Sequence, residues 1–387
     1  MVKKGYKQTE IGVIPEDWEI KEIKRISPLQ RGFDLPYLQI KDGSYPVIFS
    51  NGVGAYHAQY MVKGPGVVTG RSGTIGKVHY VGENYWPHNT SLWVTNFFGN
   101  YPKYIYYLFN TINWELYNSG SGVPTLNRND IHDLKCAIPS VEEQKCIAEA
   151  LSDVDSMISS LEKLIEKKKA VKQGAMQELL TGKKRLPGFT GEWMSILFKD
   201  IYEFAKEGGT PSTSNVQYYH NGKIPFIKIE HLFSKYIEAG KEFITEEGLN
   251  NSSAWLIPTE SIIFSNGATI GEISINKIPV STKQGILGII PKELFLTEFL
   301  FYYLSHQMFL NSVKSVTTHG TMDVAYLKDM NNILLYVPKD KKEQIAIATY
   351  LADIDNEIEA LEQKLAKTRQ IKQGMMQKLL TGKIRLV

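Results

Sequence analysis

The sequence predicts an α+β fold in which two β-rich globular domains alternate with two long α-helices. The helices are predicted because segment 143–186 aligns on 343–386 at a shift of 200 residues, with no gap and with about half of the 44 positions identical. The domains are predicted because segments 19–138 and 194–337 consist of short Val, Ile, Tyr and Phe runs separated by Gly, Pro, Asn and Ser. The predicted order along the chain is therefore domain, helix, domain, helix.

The first globular domain is predicted over 1–138, and three features mark it. Trp18 stands near its start, and a Gly-x-Thr-Ile-Gly turn follows an apolar strand at 72–76. A Gly-containing loop at 120–125 then precedes the helix. Such turns between apolar runs are typical of a β-rich domain.

The first long helix is predicted over 139–182. Ser140 and Glu143 have capping-box spacing, which places the start of the helix just after Pro139. Gly182 follows the last apolar positions and suits the left-handed conformation that ends many helices. About 40 residues at ~1.5 Å each give a rod of about 60 Å.

A linker and the second globular domain are predicted over 183–337, and the second helix over 338–387. The second domain repeats the three markers of the first, at Trp193, 266–271 and 317–322. Elsewhere the two domains differ in sequence. The chain therefore combines near-identical helices with dissimilar domains.

The two helices share an apolar seam of the coiled-coil type, because apolar residues recur in them at alternating steps of three and four. The second helix also repeats the capping-box spacing, at Asp340 and Glu343. The spacing changes after Ile165, so the far end of each helix is expected to pack on something other than its twin. The predicted seam consists of Leu151, Val154, Ile158, Leu161, Ile165, Leu351, Ile354, Ile358, Leu361 and Leu365.

This pattern resembles the specificity subunits of type I restriction-modification enzymes. The resemblance covers the whole chain and depends on two motifs present in both helices, Gln-x-x-Ile-Ala-x-x-Leu and Lys-Gln-Gly-x-Met-Gln-x-Leu-Leu-Thr-Gly-Lys. It implies that each globular domain is a target-recognition domain that reads one half of a split, asymmetric DNA sequence. It also implies that the helices pair as an antiparallel coiled coil about a pseudo-twofold axis and set the spacing between the two halves.

The resemblance further implies partners and locates the chemistry outside this chain. Double-stranded DNA, two methyltransferase subunits and restriction (translocase) subunits are the expected partners, and S-adenosylmethionine and ATP are expected to bind in those subunits. Four apolar side chains of the helices are expected to face partner helices: Met176, Leu179, Met376 and Leu379.

Candidate DNA contacts are polar or basic residues on loops between apolar strands. Arg71 has the fork that binds a guanine edge, and Asn51 or Asn89 has the amide that binds adenine. For each such residue, a solvated turn is the alternative. The candidates are Ser50, Asn51, Tyr56, His57, Arg71, Ser72, Lys77, His88, Asn89 and Thr90 in the first domain, and Lys228, Asn266, Thr282, Lys283, Gln284 and His319 in the second.

Basic residues on the first helix and just after it form a further set of candidate phosphate contacts. A solvated helix face is an equal alternative for them. They are Lys167, Lys168, Lys169, Lys172, Lys183, Lys184 and Arg185.

The sequence contains no catalytic, cofactor or metal motif. Segment 70–77 resembles a phosphate-binding loop, but it has five residues between its outer glycines where four are needed. The eight histidines lack zinc-site spacing, and Cys136 and Cys146 are too few for a disulfide framework. We therefore expect a chain that is not itself an enzyme.

The formal net charge of +3 and pI near 8.5 permit a nucleic-acid partner without requiring one. No apolar run is long enough to span a membrane, so a cytoplasmic location is expected.

The alternative function is a coiled-coil assembly scaffold that binds proteins and not DNA. That alternative explains the helices equally well, but it explains the divergence of the two domains only if each domain binds a different protein.

Overall fold

The computed structural model describes residues 4–120, 122–320 and 323–386, and the chain forms two compact units. The first unit comprises Met1–Lys163 and Glu362–Val387, and the second comprises Leu164–Leu361. Each unit therefore contains one globular domain, the first part of the helix that follows it and the last part of the other helix. The unit boundaries fall inside the long helices rather than at their ends.

The first unit is a β-rich domain with short helices. Its strands are β1 (Tyr6–Thr9), β2 (Gly12–Pro15), β3 (Glu19–Glu22), β4 (Leu29–Arg31), β5 (Tyr45–Phe49), β6 (Gly52–His57), β7 (Gly66–Gly70), β8 (Val78–Val81), β9 (Trp86–Pro87), β10 (Ser91–Val94) and β11 (Lys135–Ile138). Its helices are α1 (Ile23–Ile26), α2 (Pro102–Phe109), α3 (Arg128–His132) and the first part of α4 (Val141–Leu179).

The second unit repeats this composition. Its strands are β12 (Trp193–Leu197), β13 (Tyr202–Glu207), β14 (Ile224–Ile227), β15 (Tyr236–Ile237), β16 (Phe243–Ile244), β17 (Ile262–Ser265), β18 (Ile273–Asn276), β19 (Ser281–Thr282), β20 (Ile286–Pro291) and β21 (Leu334–Pro338). Its helices are α5 (Glu246–Asn250), α6 (Thr297–Ser305), α7 (Gln307–Ser315), α8 (Leu327–Met330) and the first part of α9 (Lys341–Leu379).

The two units share their sheet topology. The antiparallel order β4-β10-β7-β8 in the first unit corresponds to β13-β20-β17-β18 in the second, where β15 is added at the edge. The order β6-β5-β9 corresponds to β16-β14-β19, with the last strand parallel to the middle one in both. The pair β3-β11 corresponds to β12-β21. The α+β prediction with two β-rich domains is therefore confirmed.

Packing of the long helices is antiparallel within each unit. In the first unit Asp155 of α4 pairs with Lys372 of α9, and Glu162 lies 2.6 Å from Arg369. Residue numbers therefore increase along α4 in the direction in which they decrease along α9. Of the predicted seam, Leu151, Leu161, Ile165, Leu351, Ile354 and Ile358 are buried, and Val154, Ile158, Leu361 and Leu365 are half-buried.

The far ends of the long helices pack into the globular cores. Leu179 and Leu180 belong to the core of the second unit, and Leu379 and Leu380 to that of the first. The far end of each helix thus packs on a globular core, as expected, although α4 still pairs with α9 just beyond Ile165, through Lys168 with Glu357 and Lys172 with Asp355. The expectation that Leu179 and Leu379 face partner subunits is corrected, because each is only 4% exposed. Met176 and Met376 pack against the same cores.

The capping box at the start of α4 is only half formed. Ser140 Oγ accepts the Glu143 N–H at 3.3 Å, but the Glu143 carboxylate does not return to the helix start. It accepts instead from Trp18 Nε1 at 3.0 Å and from Arg385 Nη2 at 2.7 Å. The glutamate of the motif therefore ties the helix to its domain and to the segment after α9.

The second unit copies this arrangement. Glu343 accepts from Trp193 Nε1 at 3.2 Å and from Arg185 Nη2 at 2.6 Å. Gly182 follows α4 in the left-handed region at φ +70° and packs on Trp193.

In the described part of the chain, no helix combines the length and apolar character needed to cross a bilayer.

Candidate nucleic-acid interface

Three loops of the first unit meet at one end of its sheets. Backbone N–H groups of Arg71 and Ser72 donate to Thr90 O at 2.9 and 3.1 Å, and Ser50 N donates to Thr90 Oγ1 at 3.3 Å. Gly70 lets the Thr74 and Ser50 loops approach β7, because a Cβ there would lie 1.9 Å from Thr74 O and 2.6 Å from Ser50 O. The loops bring together Ser50, Asn51, Arg71, Ser72, Lys77, His88, Asn89 and Thr90, which we call the first loop cluster.

The side chains of the first loop cluster are held in place before any ligand arrives. Lys77 Nζ donates to Asn51 O at 3.0 Å, and Arg71 Nη1 donates to Asn89 O at 3.3 Å. Asn89 Nδ2 in turn donates to Asp34 Oδ1. Such fixed polar groups at a loop surface suit recognition of base edges and phosphates.

His88 takes part in the first loop cluster as an uncharged ring. Its Nδ1 lies 3.0 Å from Thr90 Oγ1, and its ring lies 4.2 Å from that of Phe49. Burial lowers the pKa of His88 from its ordinary value of 6.5, so the imidazole is neutral at pH 7. It can therefore exchange hydrogen bonds with a base but adds no positive charge.

Two predicted residues of the first unit lie at the opposite end of β6 from Asn51. His57 is 5% exposed, accepts the Lys41 N–H at 3.0 Å and contacts Trp86 edge to face. These contacts explain His57 as a structural residue, so we remove it from the candidate DNA contacts. Tyr56 is 54% exposed and keeps an accessible ring.

Backbone hydrogen bonds define the equivalent site of the second unit. Asn266 and Gly267 donate to Gly285 O at 3.0 and 3.2 Å, as Arg71 and Ser72 do to Thr90 O. Lys283 N donates to Ile227 O at 2.9 Å, as His88 N does to Ile48 O. Asn266 is therefore equivalent to Arg71, Lys283 to His88, Gln284 to Asn89 and Lys228 to Phe49.

Three of the predicted residues of the second unit share a pocket of about 360 Å³. Lys228, Lys283 and Gln284 line it together with Glu207, Glu230 and Tyr326. Lys228 Nζ lies 2.6 Å from Glu242 Oε1, which raises the pKa of the lysine, and Glu207 accepts the Gly285 N–H at 2.6 Å. This pocket has charges of both signs, whereas the first loop cluster is basic.

Two predictions in the second unit are corrected. Asn266 and Thr282 are 0% exposed. The Asn266 amide donates to Ala325 O at 3.1 Å, and Thr282 Oγ1 donates to Ile286 O at 3.3 Å. Their side chains support the loops from inside and do not reach a duplex.

The loops that precede the long helices are described in part. Gly73 N donates to Pro124 O at 3.0 Å, so the first of these loops covers the Thr-Ile-Gly turn. His319 is exposed and lies 2.9 Å from Asp323 Oδ1. Ser121, Thr321 and Met322 of the predicted loops lie outside the described residues.

Five charged residues lie near these two sites and are not among the residues predicted from the sequence. Arg31, Asp34 and Arg128 adjoin the first loop cluster, and Glu207 and Glu230 line the pocket of the second unit. No motif marks them. Strand pairing places Arg31 opposite Leu92 and Glu207 opposite Leu287, and that register is not readable from residue spacing.

One group of described residues has the donor atoms to hold a metal ion. Glu230, His231 and Glu242 offer ligand atoms within 4.8 Å of one another. The sequence search for paired histidines missed this group, because Glu242 is brought in from another loop. Lys228 already pairs with Glu242, and its N–H donates to His231 Nδ1 at 3.2 Å. We therefore assign no metal to this group.

Two of the candidate lysines on the first helix are engaged within the second unit. Lys168 pairs with Glu357, and Lys172 Nζ lies 2.6 Å from Asp355 Oδ1. Arg185 is bound by the buried Glu343. These three cations hold the unit together, and we remove them from the candidate phosphate contacts.

Comparison with known proteins yields one consistent family. The profile described as "Type I restriction modification DNA specificity domain" matches residues 15–173 and 190–370. The type I restriction enzyme MjaIX specificity subunit of Methanocaldococcus jannaschii is 24% identical over 419 aligned positions, covering 98% of this chain and 96% of that protein.

Solved structures share the fold. A type I restriction-modification S subunit from M. genitalium superposes with a TM-score of 0.62 at 18% identity, over 94% of this chain and 96% of that chain. The HsdS subunit from Thermoanaerobacter tengcongensis gives a TM-score of 0.51 at 15% identity, over 99% and 100%.

Proposed function

Because the chain belongs to the family of type I restriction modification DNA specificity proteins, we propose that it reads a bipartite, asymmetric DNA target with one unit on each half. The observation that carries this proposal is a shared backbone with different polar side chains. Lys77 and His88 of the first unit are replaced by Glu272 and Lys283 at equivalent positions of the second. Different donors and acceptors select different base pairs.

We propose further that this chain catalyses no reaction and positions other subunits on the DNA. Two methyltransferase subunits would supply S-adenosylmethionine chemistry at adenines, and restriction subunits would supply ATP-driven cleavage. The paired parts of α4 and α9 would serve as the docking platform and as the spacer between half-sites. Membership in the family supports these assignments.

A selection from random duplexes tests the proposal. The chain, purified alone and together with its co-expressed methyltransferase subunits, is mixed with a pool of random duplexes, and bound DNA is separated by electrophoretic shift and sequenced. We expect enriched duplexes to share two unlike short sequences separated by a fixed number of unspecified base pairs. A stable protein complex that enriches no sequence would support the assembly scaffold instead.

A further inference from the structure

Three arginines of the first unit line one pocket beside the first loop cluster. Arg31 ends β4, Arg71 follows β7 and Arg128 begins α3, so three separate elements contribute. The pocket has a volume of about 270 Å³, and its other polar lining residues are Ser119, Thr125 and Asn127. Arg31 and Arg128 are exposed, and Arg71 is half-buried.

Contacts within the first unit fix two of these arginines. Arg71 Nη1 donates to Asn89 O at 3.3 Å, and Arg31 Nη2 lies 3.2 Å from Asp34 Oδ1. Asn89 and Asp34 are themselves hydrogen bonded, so the two guanidinium groups are held at either side of one polar pair. Asp34 balances one of the three positive charges, and the pocket keeps an excess of positive charge.

The second unit does not repeat the three arginines at the positions equivalent to them. Glu207 pairs with Leu287 as Arg31 pairs with Leu92, so Glu207 occupies the position of Arg31. Asn266 is equivalent to Arg71. Ala325 N donates to Asn266 O as Leu126 N does to Arg71 O, and Leu327 is therefore equivalent to Arg128. Three cations correspond to one anion and two uncharged side chains.

We infer that Arg31, Arg71 and Arg128 form an anion pocket that binds one DNA backbone phosphate in the half-site read by the first unit. Guanidinium groups bind phosphate oxygens through paired, charge-assisted hydrogen bonds. A phosphate contact fixes the register of the domain on the duplex, and neighbouring side chains then read bases. Arg71 is accordingly a positioning residue rather than a reader of guanine. This inference rests on the proposed function.

The test uses the full chain with its methyltransferase subunits and a duplex that carries the selected target. Arg128→Ala is compared with Arg25→Ala, an exposed arginine of the same unit that does not line the pocket. We expect Arg128→Ala to weaken binding about tenfold, equally for the target and for duplexes with one changed base pair. Its log–log salt slope should fall by about 0.9, and that of Arg25→Ala should not change.

A scan with single uncharged methylphosphonates identifies the phosphate. One position in the first half-site should weaken binding of the wild type and of Arg25→Ala, and have a smaller effect on Arg128→Ala, which has already lost one of the three contacts to that phosphate. Loss of discrimination at one base pair in Arg128→Ala, or an unchanged salt slope, would overturn the pocket and leave the proposed function standing. Failure of the wild type to bind any duplex selectively would overturn both.

Discussion

One buried glutamate of a long helix contacts each recognition domain: Glu143 in the first unit and Glu343 in the second. Glu143 is 1% exposed and accepts from Trp18 and Arg385, and Arg385 also reaches Asp17 at 2.8 Å. Glu343 makes the same bonds with Trp193 and Arg185. A carboxylate in such a place is stable only while its cation and donors remain, because an unpaired buried charge is costly.

Removing the charge of Glu143 should destabilise the first unit. Glu143→Gln leaves the Arg385 guanidinium without its buried partner, and we expect a loss of about 2–4 kcal/mol, reduced by the remaining bond to Asp17. The midpoint of urea unfolding measures this loss of stability. Glu142→Gln is the matched control, since Glu142 is exposed, and should change stability by less than about 0.5 kcal/mol. Equal midpoints for the two variants would contradict this account.

Four histidines should make the protein sensitive to mild acid. Burial lowers the pKa of each of them in the folded chain below 6.5, so the unfolded chain binds more protons as the pH falls. Their contribution to stability is complete above about pH 6.5 and is lost below it. The histidines are His79, His88, His132 and His306.

Urea unfolding between about pH 7.5 and pH 5.5 checks this expectation. The midpoint should fall as the pH falls. His132→Gln, which keeps a polar group near the Leu29 N–H, should reduce the dependence. A flat profile, or one that rises toward acid, would contradict it.

For single residues, the sequence predicts the local backbone conformation better than it predicts which side chains contact one another. The capping-box spacing of Ser140 and Glu143 correctly placed the helix start, because that signal is local. The actual partner of Glu143, Arg385, lies 242 residues away, and no local pattern reports such a contact. The burial of Asn266 was missed for the same reason.

Each long helix carries a polar connection to its neighbours as well as an apolar seam. Asp155 accepts from Tyr107 at 2.7 Å and lies 2.5 Å from Lys372. Asp355 accepts from Tyr302 at 2.8 Å in the copy of this arrangement. The apolar periodicity predicted the seam, but which lysines face a carboxylate depends on the antiparallel alignment, and the sequence alone does not fix that alignment.

Lys172 should therefore be important for stability and not for DNA binding. Lys172 forms an ion pair with Asp355, and only 27% of the Lys172 side chain is exposed. We expect Lys172→Ala to lower the free energy of unfolding by about 1 kcal/mol and to leave the salt slope of DNA binding unchanged. Lys167→Ala, at an exposed position of the same helix, is the control for stability. A slope reduced by about 0.9 in Lys172→Ala would show a phosphate contact instead.

The two units of the molecule share one fold and differ in the side chains at their loop surfaces. The duplication was evident from the helices, whose sequences must match because both make the same contacts. The equivalence of Arg31 with Glu207 was not evident, since it requires the strand register of two divergent domains. The same divergence is what a bipartite, asymmetric target demands.

Helix length should set the spacer if the helices hold the half-sites apart. Four residues inserted after Ile165 and after Leu365 keep the antiparallel contacts in phase and lengthen each helix by about 6 Å. We expect the selected target to gain about two spacer base pairs at ~3.4 Å each, with both half-sequences unchanged. An unchanged spacer with altered half-sequences would contradict this role.

Mapping methylated adenines across the source genome tests the central claim most directly. The comparison includes the wild type, a deletion of this chain, a Ser50/Asn51/Lys77 triple-alanine variant and a Lys228/Lys283/Gln284 triple-alanine variant. We predict that one bipartite motif disappears in the deletion, and that each variant relaxes a different half of it. A motif that persists in the deletion, or two variants that relax the same half, would contradict the assignment of one half-site to each unit.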